Sequence, residues 1–172
     1  MPKANLPVGA GAPLEAPQLG AATAVQERRV SEQLIADWER ESRRLGELVA
    51  LMTLDASAMK DPKWAHRFLI AVNPVIEDSS FVLYGASFAA LLELPEIPNH
   101  TVSLAAQLPT RYVRVFTRGC IAATFSSVPF RMQGAVERND GQQELYRAAF
   151  IHLSLDASPR GRHFTLGAFS CR

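Results

Sequence analysis

The stretch that decides the fold, VERNDGQQELYRAAFIHLSLD, occupies residues 136–156. It reads as the end of one strand, an Asp-Gly turn and a second strand, because Gly141 can adopt the positive φ that a tight hairpin turn requires. The second strand, expected over 144–155, carries Tyr146, Arg147 and His152. The sequence therefore predicts an antiparallel hairpin, and it raises the question of what three polar side chains do on a core strand.

Other strand-like segments lie on both sides of this hairpin. SVPFRMQGAVER precedes the turn, with Val128, Phe130 and Met132 on its apolar face, and HFTLGAFSC follows as the last strand. Earlier in the chain, RFLIAVN and SFVLY are short apolar runs separated by a Pro-containing loop. Five strands are expected, with the 144–155 strand central or next to central.

Helical patterns separate the second strand from the third. GASFAALLEL places Phe88, Leu91 and Leu92 on one side, and TVSLAAQL predicts another short helix. A longer helix over 110–124 carries a stripe of Val113, Phe116 and Cys120, flanked by Tyr112 and Val115. The order of elements predicts an α+β fold with an antiparallel five-stranded sheet and short helices packed on one face.

An amphipathic helix is expected before the sheet. Thr23 and Gln26 fit a capping box, and Val30, Leu34 and Trp38 follow at helical spacing. Its apolar stripe must be buried on the sheet of its own chain or on a second copy. The predicted organisation is a flexible Pro/Gly/Ala-rich tail over 1–22, an N-terminal helical segment over 23–65, in which Asp61 and Pro62 start a short helix, and a core over 66–172.

The composition excludes several classes of function. A formal net charge of +1 offers no field for nucleic acid or an anionic membrane, and no apolar run reaches the roughly 20 residues of a membrane helix. Cys120 and Cys171 match no metal or redox spacing, which favours two free thiols in a reducing cytoplasm. We therefore expect a cytoplasmic protein with no nucleic-acid or membrane partner.

Three segments resemble PAS-like sensor domains of the type common in α-proteobacteria. DSSFVLYGASFAALLELP is similar to the second strand and first core helix of that family, and the hairpin over 128–156 is similar to its central hairpin. HFTLGAFSC, with Leu166 and Gly167, resembles its closing strand. The likeness spans about 34–171, and it departs from the family at His152, where proline is common, and in the linker over 46–66.

This resemblance implies a non-catalytic sensory or protein-interaction role in signalling. It implies a small ligand in a pocket between sheet and helices, a homodimer formed through the N-terminal helix, and a signalling protein as partner, since the chain carries no output domain of its own. The residues expected to line the pocket are Tyr84, Phe116, Phe130, Tyr146, Phe150 and His152. Those expected at the dimer or helix contact are Val30, Leu34, Trp38 and Arg147.

The two faces of the 144–155 strand separate these roles. Tyr146 and His152 share a face with Ala148 and Phe150, which we expect to be directed at the helices. Arg147 would then lie on the opposite face with Ala149 and Ile151. Two alternatives stay open. In the first, Arg147 points inward and pairs with an anionic ligand or with Glu93. In the second, Tyr146 and Arg147 only cover an exposed face of the sheet.

Two other functional classes compete with the sensory reading. GASFA places Ser87 at a strand-to-helix turn, as in a small serine hydrolase, with Asp156 and His163 following in the α/β-hydrolase order. Ala89 stands where that motif has glycine, so no catalytic residue is expected. The second alternative is an NTF2-like ligand-binding protein, which also packs helices on an antiparallel sheet.

No cofactor or metal site is expected. The four histidines show no i, i+3 or i, i+4 pair. The helix that would hold a haem ligand has no histidine over 110–126, and the surroundings of Cys120 do not match a flavin-binding photoreceptor.

Overall fold

The computed structural model describes residues 19–45, 62–154 and 162–172, with the side chains of the first range described from Val30 to Arg43. Four helices and five strands follow one another within these described ranges. They are α1 (Leu19–Leu45), β1 (Arg67–Val72), β2 (Ser80–Tyr84), α2 (Ala86–Leu91), α3 (Leu104–Gln107), α4 (Thr110–Thr124), β3 (Phe130–Glu137), β4 (Gln143–Ser154) and β5 (His163–Cys171). Single 3-10 turns over Pro62–Trp64 and Ile76–Asp78 precede β1 and β2.

The five strands form one antiparallel sheet in the order β2-β1-β5-β4-β3. This confirms the predicted α+β class and the predicted hairpin, whose turn holds Gly141 at φ 78°. The strand over Gln143–Ser154 lies next to the central strand β5 and pairs with it and with β3. Most strand bounds match the expected ones because each strand is a continuous or alternating apolar run bounded by turn residues.

Helices α2, α3 and α4 cover one face of the sheet over an aromatic core. Six phenylalanines of this layer are buried with no exposed surface, and neighbouring ring centroids lie 5.0–6.3 Å apart. They are Phe68, Phe81, Phe88, Phe116, Phe150 and Phe169. Tilted and edge-on ring pairs of this kind add to the free energy gained by burial alone.

Glycines allow two of these rings to reach their positions. A Cβ atom on Gly167 would lie 2.1 Å from the ring of Phe68, and one on Gly119 would lie 2.3 Å from the ring of Phe150. Such distances are impossible between real atoms, so any larger residue at either glycine would push a core ring out of place.

Helix α1 packs on the opposite face of the same sheet. Its Leu34 and Ile35 are buried against Leu69, Ile151 and Leu166, while Val30 and Trp38 are half-buried at the margin of this second cluster. The apolar stripe of the described part of α1 is therefore buried on the sheet of its own chain. Trp38 packs at the margin of this cluster, and its part in an intermolecular contact stays a prediction.

A part-buried ion pair fixes α1 to β1. An Nη atom of Arg67 donates to a carboxylate oxygen of Asp37 at 2.5 Å, and Arg40 adds a second contact at 3.1 Å. Burial alone would raise the pKa of Asp37, but the hydrogen bond and charge of Arg67, with the charges of Lys63 and Arg40, lower that pKa below its ordinary value.

Three details of the sequence prediction are wrong. Helix α1 begins at Leu19, four residues before Thr23, because the alanines around Thr23 favour a helix despite the glycine among them. Strand β3 begins at Phe130, after Pro129, so Val128 lies outside it and is exposed. The buried stripe of α4 is centred on Tyr112, Phe116 and Cys120, whereas Val113 is half-buried.

Several other expectations concern residues outside the described ranges. These include the tail up to residue 18, the linker over 46–61 with Asp61, and Asp156. The single 3-10 turn that begins at Pro62 agrees with the expected short helix. In the described residues, no helix combines the length and apolar character needed to cross a membrane.

We predict that Asp37→Asn lowers the free energy of unfolding at pH 7 by about 1–3 kcal/mol, because it removes a charge-assisted hydrogen bond to a buried arginine. The folded-state pKa of Asp37 is depressed, so its contribution is present above the ordinary pKa of 3.8 and is lost as the pH falls through the lower folded value. Urea denaturation should show the gap between wild type and variant closing in acid. The exposed Asp78 provides the control, since Asp78→Asn should have little effect at any pH. A gap that stays constant in acid would contradict the assignment.

Candidate ligand-binding cleft

An open cleft of about 950 Å³ lies at one end of the layer between sheet and helices. It is formed by the end of β1 and the loop that follows it, by the last turn of α4, and by the start of β5. Its volume is within the range of about 300–1,000 Å³ that is usual for small-molecule sites.

The walls of the cleft expose large apolar side chains. Val75 is 56% exposed, Ile121 is 43% exposed and Phe125 is 88% exposed, and all three line the cleft. Exposed apolar side chains scattered singly are normal on a protein surface, but several gathered in one concave place indicate a binding surface.

Local hydrogen bonds hold the loop after β1 in shape. The backbone N–H of Asn73 donates to Ser79 Oγ at 3.0 Å, and its side-chain amide donates to the carbonyl oxygen of Asp78 at 2.7 Å. Ser79 is buried and closes the turn over Ile76–Asp78 through its own N–H. The loop that carries Val75 is thus closed by hydrogen bonds among polar groups of Asn73, Asp78 and Ser79.

Two stacked imidazoles give the cleft a polar corner. Nε2 of His152 lies 3.1 Å from Nδ1 of His163, with ring centroids 5.2 Å apart and planes inclined by 23°. His163 lines the cleft, and His152 lies behind it on β4. One nitrogen must donate and the other accept, so each ring orients the other.

The sequence did not predict this histidine pair. The two residues are eleven positions apart and come together because Ser154 pairs with His163 and His152 with Thr165 across the β4-β5 hairpin. The register of that hairpin is the signal that would have found them. Among the described residues, no three histidine, cysteine or acidic side chains gather as a metal site would require.

The other expected ligand residues lie deeper in the same layer. Tyr84, Phe116 and Phe150 are buried in the aromatic core, and the hydroxyl of Tyr84 donates to the carbonyl oxygen of Pro95 at 2.7 Å. Phe130 is half-buried at the edge of that core. Ligand contact by these side chains stays a prediction, and His152 is the member of the set next to the cleft.

The two faces of β4 are arranged as expected. Ala148 and Phe150 belong to the aromatic core, and the half-buried Tyr146 stacks on Phe169 at 6.1 Å. Ala149 and Ile151 belong to the cluster under α1, which places Arg147 on the α1 face.

The alternative of an inward Arg147 paired with Glu93 is wrong. Glu93 lies on the opposite side of the sheet, where its charge helps to raise the pKa of Arg111. Arg111 and Tyr112 both contact Glu144 there, and burial, with that hydrogen bond, raises the pKa of Tyr112. This polar cluster involves Glu144 near the start of β4, away from the cleft.

Neither cysteine is in a disulfide. Cys120 is a fully buried residue of α4, and burial raises the pKa of its thiol to about 12. A thiol with that pKa is protonated at neutral pH and is a poor nucleophile. It packs in the core as a small apolar side chain.

The hydrolase alternative fails on geometry. Ser87 follows Gly85, whose N–H donates to the carbonyl oxygen of Arg67 at 3.0 Å, so it lies near the start of β1. His163 pairs with Val72 at the other end of β1. Five residues of strand separate these ends by roughly 16 Å, too far for a serine and its general base.

Comparisons with known proteins were made for the whole chain. No family model matches it, and no curated protein matches it significantly. Among 63 matching solved chains is a PAS domain of an HTR-like protein from Haloarcula marismortui, with 18% identity, a TM-score of 0.37, and coverage of 78% of this chain and 99% of that one.

Two further solved structures match the chain with similarly low identities and TM-scores. A PAS domain from a two-component sensor histidine kinase has 9% identity, a TM-score of 0.40, and coverage of 72% of this chain and 99% of that one. A fungal LOV domain photoreceptor has 17% identity, a TM-score of 0.36, and coverage of 73% and 89%. TM-scores this low support no inference about the function of this chain.

The described residues form an α+β fold, a five-stranded antiparallel sheet with three helices between its second and third strands in the chain.

We predict that Ser87→Ala leaves the hydrolysis of short activated esters unchanged, because Ser87 and His163 lie at opposite ends of β1. The measurement compares rates for wild type, the variant and buffer with p-nitrophenyl acetate. Turnover by the wild type that disappears in the variant would show that Ser87 is a nucleophile served by another base.

Proposed function

We propose that this chain is a non-catalytic sensory or protein-interaction module in signalling, which binds a small, mainly apolar ligand in the cleft and reports through α1. The observation that carries the proposal is that β1 and β5 take part in both surfaces. Val72 and His163 line the cleft, whereas Leu69 and Leu166 of the same strands lie under α1.

The chemistry of the cleft favours a compact apolar molecule with one polar group. Val75, Ile121 and Phe125 supply the apolar walls. The imidazole of His163 and the guanidinium of Arg162 supply polar contacts, and Glu77 adds one carboxylate to the lining. Apolar walls with a few placed polar groups are the usual composition of a small-molecule site.

Coupling between the cleft and α1 requires only that the ligand has different affinities for the state with α1 docked and the state with α1 released. A ligand that prefers one position of β1 and β5 shifts the population of docked and released α1 by that difference. The docked state depends on the ion pair between Asp37 and Arg67 and on the burial of Leu34 and Ile35.

The NTF2-like alternative has less support. That reading expects a wide, cone-shaped pocket behind the sheet. The rings of Phe68, Phe116 and Phe150 occupy the middle of that space and contact one another.

A homodimer formed through the N-terminal helix and a signalling protein as partner remain proposals. Leu34 is buried on its own sheet, so a helix-mediated dimer with α1 docked would use side chains that are still accessible, such as Val30 and Trp38. The cytoplasmic location and the α-proteobacterial type of the likeness stand as proposals in the same way.

The ligand site is tested with a paired substitution. Ile121→Asp should weaken binding of the apolar probe 1-anilinonaphthalene-8-sulfonate at least about tenfold, because it places an unpaired charge in an apolar wall. Ile97 is equally apolar, more exposed and outside the lining of the cleft, so Ile97→Asp should leave binding unchanged. Fluorescence titration gives both affinities. Equal losses in the two variants, or no binding by the wild type, would refute the cleft as the site.

The coupling is tested on the same proteins. Native mass spectrometry of the purified full chain reports any retained ligand and the oligomeric state together. Hydrogen exchange of α1 over Val30–Arg43 should then change when the retained molecule is removed and restored. Exchange that is indifferent to the ligand would refute reporting through α1 and leave the binding result standing.

A further inference from the structure

The two edges of the sheet differ in how they are protected. A strand edge exposes unpaired N–H and C=O groups, and monomeric proteins shorten, bend or cover such edges. Strand β2 is five residues long and its pairing with β1 is broken by an irregularity between Leu69 and Ile70. One of its carbonyl oxygens is also bonded, since Nδ1 of His100 donates to that of Phe81 at 2.9 Å, and just before the strand the Leu104 N–H donates to the Ser79 carbonyl oxygen at 2.7 Å.

Strand β3 has none of these protections in the described part of the chain. It has eight residues, Phe130–Glu137, and it pairs with β4 in unbroken register from Phe130 opposite Phe150 to Glu137 opposite Gln143. Pro129 precedes the strand and none lies within it. No described residue hydrogen-bonds to its outer edge.

The sequence of β3 is complementary to itself when read in the opposite direction. If two copies pair antiparallel about Gly134, Arg131 of each lies opposite Glu137 of the other, and Met132 lies opposite Val136. The alternation of the strand keeps each pair on one face. Shifting the axis by one residue, to Gln133 or Ala135, removes the opposition of charges.

The two charged side chains are available for this pairing. Glu137 is exposed and makes no ion pair within the described residues. Arg131 contacts Glu32 of α1 at 3.3 Å, but both side chains are more than half exposed, and a surface pair of this kind holds an arginine only weakly.

We infer that the outer edge of β3 is an interface with a second copy of this chain, in which two β3 strands pair antiparallel about Gly134 and join the sheets into one of ten strands. The charges select the occupant, since Arg131 and Glu137 fit the same edge of another copy and set its register. This contact is independent of the ligand cleft and distinct from a dimer through the N-terminal helix.

Reversing the charges one at a time tests the pairing. Arg131→Glu makes both charged positions of the edge acidic, and Glu137→Arg makes both basic. Each variant should raise the dissociation constant of self-association by about tenfold or more, because two cross-strand pairs per dimer change from attraction to repulsion. Both positions are exposed, so far-ultraviolet circular dichroism should show that the fold is kept.

Mixing the two variants provides the decisive measurement by sedimentation velocity. An equimolar mixture should regain the association of the wild type, because every charged pair in the mixed dimer is again opposite in sign. The double variant Arg131→Glu/Glu137→Arg should regain it alone. Glu32→Gln is the matched control, since it removes the partner of Arg131 on α1 without touching the edge, and it should not weaken association.

Three results would overturn the inference. The wild type could sediment as a monomer at every concentration up to its solubility limit. The single reversals could leave its association unchanged while Trp38→Ala abolishes it, which would place the contact on the helix. The mixture could fail to recover, which would mean that the reversals act by some route other than the pairing of β3 with β3.

Discussion

Two aromatic rings lie where two glycines have no side chain, and the spacing of the helix-covered layer depends on these contacts. Phe68 of β1 covers Gly167 of the central strand, and Phe150 of β4 fills the space beside Gly119 of α4. The contact of Phe68 with Gly167 determines how the aromatic rings are oriented on the sheet. The contact of Phe150 with Gly119 determines how closely α4 approaches the sheet. The other phenylalanine rings of this layer pack around Phe68 and Phe150, because the positions of these two rings determine the space that is available to the others.

This close packing explains where a ligand has room. The middle of the layer is occupied by phenylalanine rings, while the ends of the strands leave polar groups at one end and an open apolar cleft at the other. The polar end holds Tyr112, Arg111 and Glu144, which contact one another. The cleft therefore occurs where the aromatic core ends and the loop after β1 begins.

The sequence allowed most of the fold to be predicted, because strand alternation and turn chemistry are local. The bounds of β2, α4 and β5 match their apolar patterns, and the Gly141 turn sets the β3-β4 hairpin. The faces of β4 follow from the same alternation. A continuous helical stripe also indicated α1, although alanines extended its start beyond the cap that Thr23 suggested.

The site was harder to predict because it depends on distant parts of the chain. The stacking of His152 on His163 requires the register of the β4-β5 hairpin, and the turn segment DASPRGR indicates a connection without fixing that register. Aromatic residues such as Phe116 were natural candidates for a ligand pocket, because ligand pockets and hydrophobic cores are both lined by apolar and aromatic side chains. Only packing shows that these rings contact one another, and it also shows that Ser87 and His163 lie at opposite ends of β1.

The placement of β5 has a consequence for how the chain folds during synthesis. The last described strand lies at the centre of the sheet, between β1, the first, and β4. Until it emerges from the ribosome, the two halves of the sheet have no common neighbour, and the apolar faces of β1 and β4 have nothing to join them. Contacts across most of the chain must then form together, which favours slow folding and leaves apolar surface exposed in the unfinished polypeptide.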